Sequence, residues 1–278
     1  MSISDWCPLS GVDLAQLSEA RLQAHYAAQW LARVARAYVP ARPDDSHTNL
    51  GWSVALGGFT THPLPDRSQI GLRIADLVLV LLETRGGEPQ FLLDGRTNAQ
   101  ARAWLAQQMS AKSLDARALD APSPYEMPAH PVAGGAAYAT AAISDALGEL
   151  AKWYANANHV LGRMQQQLRE RKLDAPPVRC WPHHFDLDTL IAFGADRSMG
   201  VGFSPGDEYY KEPYFYVSLN PAPDVATLPR LPAIGHWHTH EFTAAVATAS
   251  RIVAVKDQKP ETEAFLSVAT ETGIKALA

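Results

Sequence analysis

Apolar side chains return at every fourth position in SEARLQAHYAAQWLARVARAY, residues 18–38. Leu22, Tyr26, Trp30 and Val34 therefore predict a helix with one buried stripe. Ser18 stands as its N-cap, with Glu19 in the first turn. Pro40 and Pro43 stop it, because proline has no N–H to continue the ladder. Extended segments follow near 49–59, 69–75, 77–84 and 89–93, with turns at Gly57-Gly58, Pro63-Leu64-Pro65 and Gly86-Gly87. A helix near 97–112 turns Trp104, Leu105 and Met109 inward. The stretch DAPSPYEMPAHPVAGG, 120–135, has four prolines and reads as a connector. Beyond it, 138–171 carries Ile143, Leu147, Leu150, Tyr154, Leu161, Met164 and Leu168 at nearly heptad spacing, the strongest helix in the chain. Pro176-Pro177 ends it, and extended segments follow near 178–193, 198–203, 213–219, 234–247 and 250–255. A last helix begins near Pro260 and buries Phe265, Leu266 and Ile274.

Runs of strands between helices, without strict alternation, predict an α+β fold with antiparallel sheet and long packing helices. The chain is expected to form a single compact unit over 1–278. Both parts share one order of elements: long helix, proline break, about four strands, short helix. Pseudo-repeats over 10–120 and 136–278, joined by the proline-rich connector, are one reading of that order; chance likeness of amphipathic patterns is the other.

Composition narrows the classes. The 278 residues carry 24 Lys and Arg against 29 Asp and Glu, a net charge of −5. No basic run could track a phosphate backbone, so nucleic acid is not an expected partner. Cys7 and Cys180 are the only cysteines, which excludes a disulfide framework or a cysteine zinc site and suits a reducing compartment. The start, MSISDWCPLS, has no signal-peptide pattern. The apolar run LVLVLL at 77–82 falls far short of the roughly 20 residues that cross a bilayer. A soluble, cytoplasmic protein of bacterial type, with no membrane partner, is the expectation.

GFSPG, 202–206, matches the nucleophile-elbow pattern, but the residue after Ser204 is Pro205, which has no oxyanion-donating N–H. Ser204 is therefore not read as a nucleophile. The same stretch lacks the third glycine of a dinucleotide fingerprint, so no nucleotide loop is expected. Cys180 reads as a buried structural thiol rather than a partner of His183. Were 183–193 one strand, His184, Asp186 and Asp188 would share its polar face, opposite Phe185, Leu187, Ile191 and Phe193.

The most distinctive chemistry lies in GHWHTHEF, 235–242. On a strand His236, His238 and His240 project to one side. Neighbouring imidazoles are then about 6.6 Å apart and can meet one ion, whereas the outer pair is separated by about 13 Å. Two of these histidines with His184 and Asp186 from a neighbouring strand would suit zinc or iron. Asp188, Asp207 or Glu241 could then handle protons. The blander reading is a polar strand face with Trp237 in the core.

Trp181, Phe185-Asp186-Leu187, Pro213-Tyr214-Phe215-Tyr216 and Pro221-Ala222-Pro223 together resemble the strand motifs of a bacterial domain family of unknown function. The resemblance implies a similar fold and carries no activity. Two functional readings stand: a metal-dependent enzyme with a His/Asp site on a sheet face, or a non-enzymatic domain binding a small molecule or partner chain. For the second, Tyr209, Tyr210, Tyr214 and Tyr216 in YYKEPYFY offer amphipathic contact area.

Overall fold

Six consecutive buried residues, Gln23 to Ala28, show that the first helix is surrounded rather than half-exposed. In the computed structural model, which describes residues 6–83 and 87–277, this helix, α1, spans Leu14–Tyr38. It begins a turn before Ser18, because Asp13 accepts the N–H groups of Ala15 and Gln16 at 2.8 and 3.1 Å. Tyr26, Trp30 and Val34 are buried as the periodicity requires.

The described residues divide into two compact units. The first comprises 12–151 and 180–185. After α1, its strands β1 (Gly51–Ser53), β2 (Gly58–Thr60), β3 (Gln69–Arg73), β4 (Val78–Leu82) and β5 (Gln90–Leu92) form an antiparallel meander in chain order. Gly86 of the expected Gly86-Gly87 turn lies outside the described residues. Helix α2, Asn98–Ala111, starts in a capping box in which Thr97 and Gln100 bond each other's backbone N–H.

The proline-rich connector is tied to α1 by side chains. Tyr26 donates to the Pro128 carbonyl (2.6 Å), Tyr125 to Gln29 Oε1 (2.7 Å), and the Ala139 N–H to Gln23 Oε1 (2.9 Å). His130 Nδ1 accepts the Val132 N–H, so its Nε2 carries the proton that Glu19 accepts at 3.0 Å.

Residues 182–185 form a turn, which corrects the expectation of one strand over 183–193. Phe185 N–H donates to the Trp181 carbonyl, and Phe185 adopts a left-handed φ of 63°. The turn is pinned from within its own unit. His25 Nε2 lies 2.7 Å from the Pro182 carbonyl and its ring stacks on Phe185 at 5.0 Å. Core contacts thus override the local alternation, and His183 and His184 are exposed in the turn.

The second unit comprises 6–11, 152–179 and 186–277. It holds the larger part of α3 (Ser144–Glu170) and strands β7 to β11 of an antiparallel sheet in the order β10-β11-β9-β8-β7-β6, of which only Arg179 of β6 belongs to this unit. These strands are β6 (Arg179–Trp181), β7 (Asp186–Ala192), β8 (Ser198–Ser204), β9 (Tyr214–Asn220), β10 (Gly235–His238) and β11 (Ala244–Thr248). The segment expected as one strand over 234–247 is thus two, folded back at 239–243. Residues expected to extend over 250–255 instead open a short helix, α4 (Ala249–Val253), where Glu212 takes the Ser250 N–H and hydroxyl. The last helix, α5, spans Gln258–Leu277.

Val201, Phe203, Phe215 and Val217 share one sheet face. Trp153 and Tyr154 of α3 pack their rings on Phe203 at 6.0 and 5.4 Å. Helix α5 reaches the same face because Gly273 has no side chain; a Cβ there would stand 2.5 Å from Met199 Sδ. The 6–11 segment is fixed by two side-chain amides acting as peptide mimics. Asn156 bonds both N–H and C=O of Cys7, and Gln258 bonds both of Leu9, all at 2.8–3.0 Å. The architecture is α+β, and among the described residues no helix is long and apolar enough to cross a membrane.

Burial holds the His25 pKa down at about 4, from an ordinary 6.5. A histidine kept neutral in the fold binds its proton more weakly there than in the unfolded chain. Its contribution is therefore full above pH 6.5 and lost as pH falls towards 4, by roughly 3 kcal/mol. Replacing His25 by Phe keeps a ring against Phe185 and removes the titration. Denaturant unfolding across pH 4–7 should show the wild type losing that much more stability than His25→Phe; parallel curves would contradict the assignment.

Candidate functional site

The sheet face opposite α3 and α5 is where the polar side chains of the second unit collect. Cross-strand register places Asp188, Gly202, Tyr216, Val246 and His236 in one row across β7, β8, β9, β11 and β10. The next row holds Leu190, Gly200, Ser218, Ala244 and His238. Above β9 to β11 stands the loop 205–213, organised by Asp207. One oxygen of that carboxylate accepts the N–H groups of Tyr209 and Tyr210, and the other accepts the Tyr214 hydroxyl. Gly206, at φ 111°, supplies the left-handed bend where a side chain would press on the Tyr210 and Glu212 carbonyls.

This loop lowers Tyr210 onto the histidines. Its hydroxyl oxygen lies 2.9 Å from His236 Nε2 and 3.0 Å from His238 Nδ1. The proton positions follow from the outer partners. His238 Nε2 is 2.6 Å from the His240 carbonyl, which can only accept, so Nε2 carries a proton, and in the neutral tautomer Nδ1 is bare. Tyr210 must then donate to His238 Nδ1 and accept from His236 Nε2–H. That leaves His236 Nδ1 bare, buried and without a hydrogen-bond partner among the described residues. Burial first, then the Arg251 charge and His238, hold His236 below the ordinary imidazole pKa and keep it neutral.

The other three tyrosines are paired with carboxylates: Tyr209 with Glu241 at 2.9 Å, Tyr214 with Asp207, and Tyr216 with Asp186 at 2.7 Å. Burial and then the Asp207 charge raise the Tyr210 and Tyr214 phenols. Tyr216 is raised by burial and by Asp186 and Asp188, and Tyr209 chiefly by its bond to Glu241. All four therefore remain phenols, and so donors, at neutral pH. Phe242 completes an aromatic wall, stacked on His238 at 4.3 Å and edge-on to Tyr209 at 5.0 Å.

Of the residues the sequence nominated, the structure brings His236 and His238 together and does not assemble the rest around them. His240 lies in the β10–β11 turn, where its imidazole is exposed and its carbonyl serves His238. Asp186 shares the histidine face, but β11, β9 and β8 intervene, so it is not on a neighbouring strand. The offset is about 19 Å at the usual strand spacing. His184 sits in the 182–185 turn and not on β7. Among the described residues no three His, Cys, Asp or Glu side chains group as metal ligands.

Ser204 is the last residue of β8, and its Oγ accepts the Gly206 N–H, the role of a turn residue. Tyr210 was visible as contact area but not as the link between the histidines. Nothing local in YYKEPYFY tells its phenol from its neighbours, because the link depends on β11 inserting between β9 and β10. Comparison with protein-family models, curated proteins and solved structures finds no match.

Tyr216 reaches Asp186 by lying across β8 where Gly202 leaves space. A Cβ at Gly202 would stand 2.4 Å from the Tyr216 ring. Gly202→Ala should destabilise the protein by about 1–3 kcal/mol. In a double-mutant cycle Tyr216→Val should recover at least about 1 kcal/mol of that loss. Additive effects in thermal or denaturant unfolding would show that the ring does not occupy this space.

Proposed function

We propose that the second unit binds a small polar organic molecule against β9, β10 and β11, and that His236, Tyr210 and His238 are the groups that recognise it. One observation carries this reading: a phenol shared by two imidazoles, beside a buried ring nitrogen of His236 that has no hydrogen-bond partner among the described residues. The three neighbouring tyrosines have their hydroxyls committed to carboxylates, whereas the Tyr210 chain can reverse. If a ligand donor takes the place of the His240 carbonyl at His238 Nε2, both rings switch tautomer, each keeping one proton, and the Tyr210 hydroxyl turns from His238 to His236. The site can thus present a donor or an acceptor to a ligand hydroxyl or carbonyl. The aromatic wall of Tyr209, Phe242 and Tyr214 supplies the apolar contact that such sites need around a few placed polar groups.

A second reading keeps the metal. His236 Nε2 and His238 Nδ1 converge on one oxygen, so with the intervening protons removed these three atoms are the donors that could close on zinc or iron. The raised phenol pKa of Tyr210 works against that deprotonation, which is why the organic ligand is the preferred occupant.

A thermal-melt screen of hydroxylated and carbonyl-bearing metabolites, with zinc and cobalt as separate arms, distinguishes the readings. A ligand at 100 times its Kd should stabilise the protein by about 2.7 kcal/mol. Tyr210→Phe should weaken that ligand by about tenfold or more. A stoichiometric response to metal alone, lost in His236→Ala/His238→Ala, would favour the second reading. No response to either, or one unchanged in Tyr210→Phe, would overturn the proposed site.

A further inference from the structure

The first unit holds a separate cleft of about 380 Å³ that the polar sheet face does not involve. Its floor is α1, through Tyr26, Trp30 and Arg33. Its walls are α2, the turn at 119–120 and the connector, chiefly through Arg102, Leu119 and Met127. The volume falls within the roughly 300–1,000 Å³ of small-molecule sites.

Most polar groups in this cleft are already committed. Asn98 Oδ1 accepts from the Trp30 indole N–H and the Tyr138 hydroxyl, and its Nδ2 donates to the Val132 carbonyl. The Tyr26 hydroxyl donates to Pro128. Arg102 carries its own counter-ion, Asp120, in two bonds of 3.0 and 2.6 Å.

Arg33 differs. Its guanidinium lies over the Trp30 ring at 5.6 Å and spends one nitrogen on two main-chain carbonyls, those of Leu119 and Ala121. It has no ion-pair partner among the described residues. The one carboxylate of the cleft, Asp120, is already taken by Arg102, so two guanidinium groups face one carboxylate and a single positive charge is left over. Arg33 is half-buried at the cleft, and its unspent N–H groups have the fork geometry that meets a carboxylate.

We infer that this cleft binds a small organic monocarboxylate, with its carboxylate on Arg33 and an apolar, planar body against Tyr26, Leu119 and Met127. Inorganic phosphate is a poorer fit. A dianion exceeds the one charge left over, and an ion that small fills only part of the cleft and leaves its apolar wall uncovered.

The test uses the full chain with benzoate as the probe, benzamide as its neutral counterpart and inorganic phosphate as a third arm. Binding is followed by the indole N–H resonance of Trp30 in 15N-edited NMR. Benzoate should shift that resonance saturably, with benzamide and phosphate each weaker by about tenfold or more. Arg33→Gln should bring benzoate down to the level of benzamide. Because Arg33 also holds the 119–121 carbonyls, the wild-type contrast of benzoate with benzamide stands even if the variant fails to fold. Equal binding of benzoate and benzamide, phosphate binding as tight as benzoate, or no saturable shift would each overturn the inference. None of these outcomes bears on the Tyr210 site.

Discussion

Strand alternation is the constraint from which the second unit follows. Because successive side chains point to opposite faces, covering Val201, Phe203, Phe215 and Val217 with α3 and α5 forces Asp186, Asp188, Tyr214, Tyr216, His236 and His238 onto the other face. Polar groups gathered in that way must satisfy one another or meet a ligand. Three tyrosines do so through carboxylates. The fourth is left with two imidazoles, and a hydrogen-bonded chain through one phenol is the result.

The two units use different means to hold irregular chain in place. In the first, the connector follows α1 through bonds from Tyr26, Gln23, Gln29 and Glu19, so a proline-rich stretch is ordered without secondary structure of its own. In the second, the Asp207 carboxylate gathers the 205–213 loop through three bonds, and the amides of Asn156 and Gln258 stand in for a strand along residues 7–9. Among these, Gln23, Asp207, Asn156 and Gln258 place a side-chain acceptor where backbone N–H groups would otherwise lack a partner. The same economy positions Tyr210: Asp207 fixes its backbone, and the histidines then fix its hydroxyl.

Much of this order was legible in the amino-acid pattern, and the gaps have physical causes. Helical stripes such as Tyr26, Trp30 and Val34, or Leu147, Leu150 and Tyr154, are local and survive folding unchanged, as does the strand alternation of 186–192. Phe185 was misread as a strand residue because its left-handed turn is imposed by stacking on His25, 160 positions earlier in the chain. The strand reading of GHWHTHEF holds for His236 and His238, which share one face, but not for His240, which lies in the turn after β10. Their supposed partner Asp186 is not a neighbour, since strand order is set by long-range pairing that no local pattern records. With β11 between β9 and β10, the groups that reach His236 and His238 come from the 205–213 loop instead.

The proposed site depends most directly on the proton positions in the His236–Tyr210–His238 chain. Nitrogen-15 spectra of the histidine rings at neutral pH read them without any ligand. Both imidazoles should be neutral with the proton on Nε2, and Tyr210→Phe should release His236 from that single form while His238 keeps it through the His240 carbonyl. A proton on Nδ1 of either ring, a cationic imidazole, or spectra unchanged by Tyr210→Phe would contradict the shared hydrogen bond on which the proposed site is built.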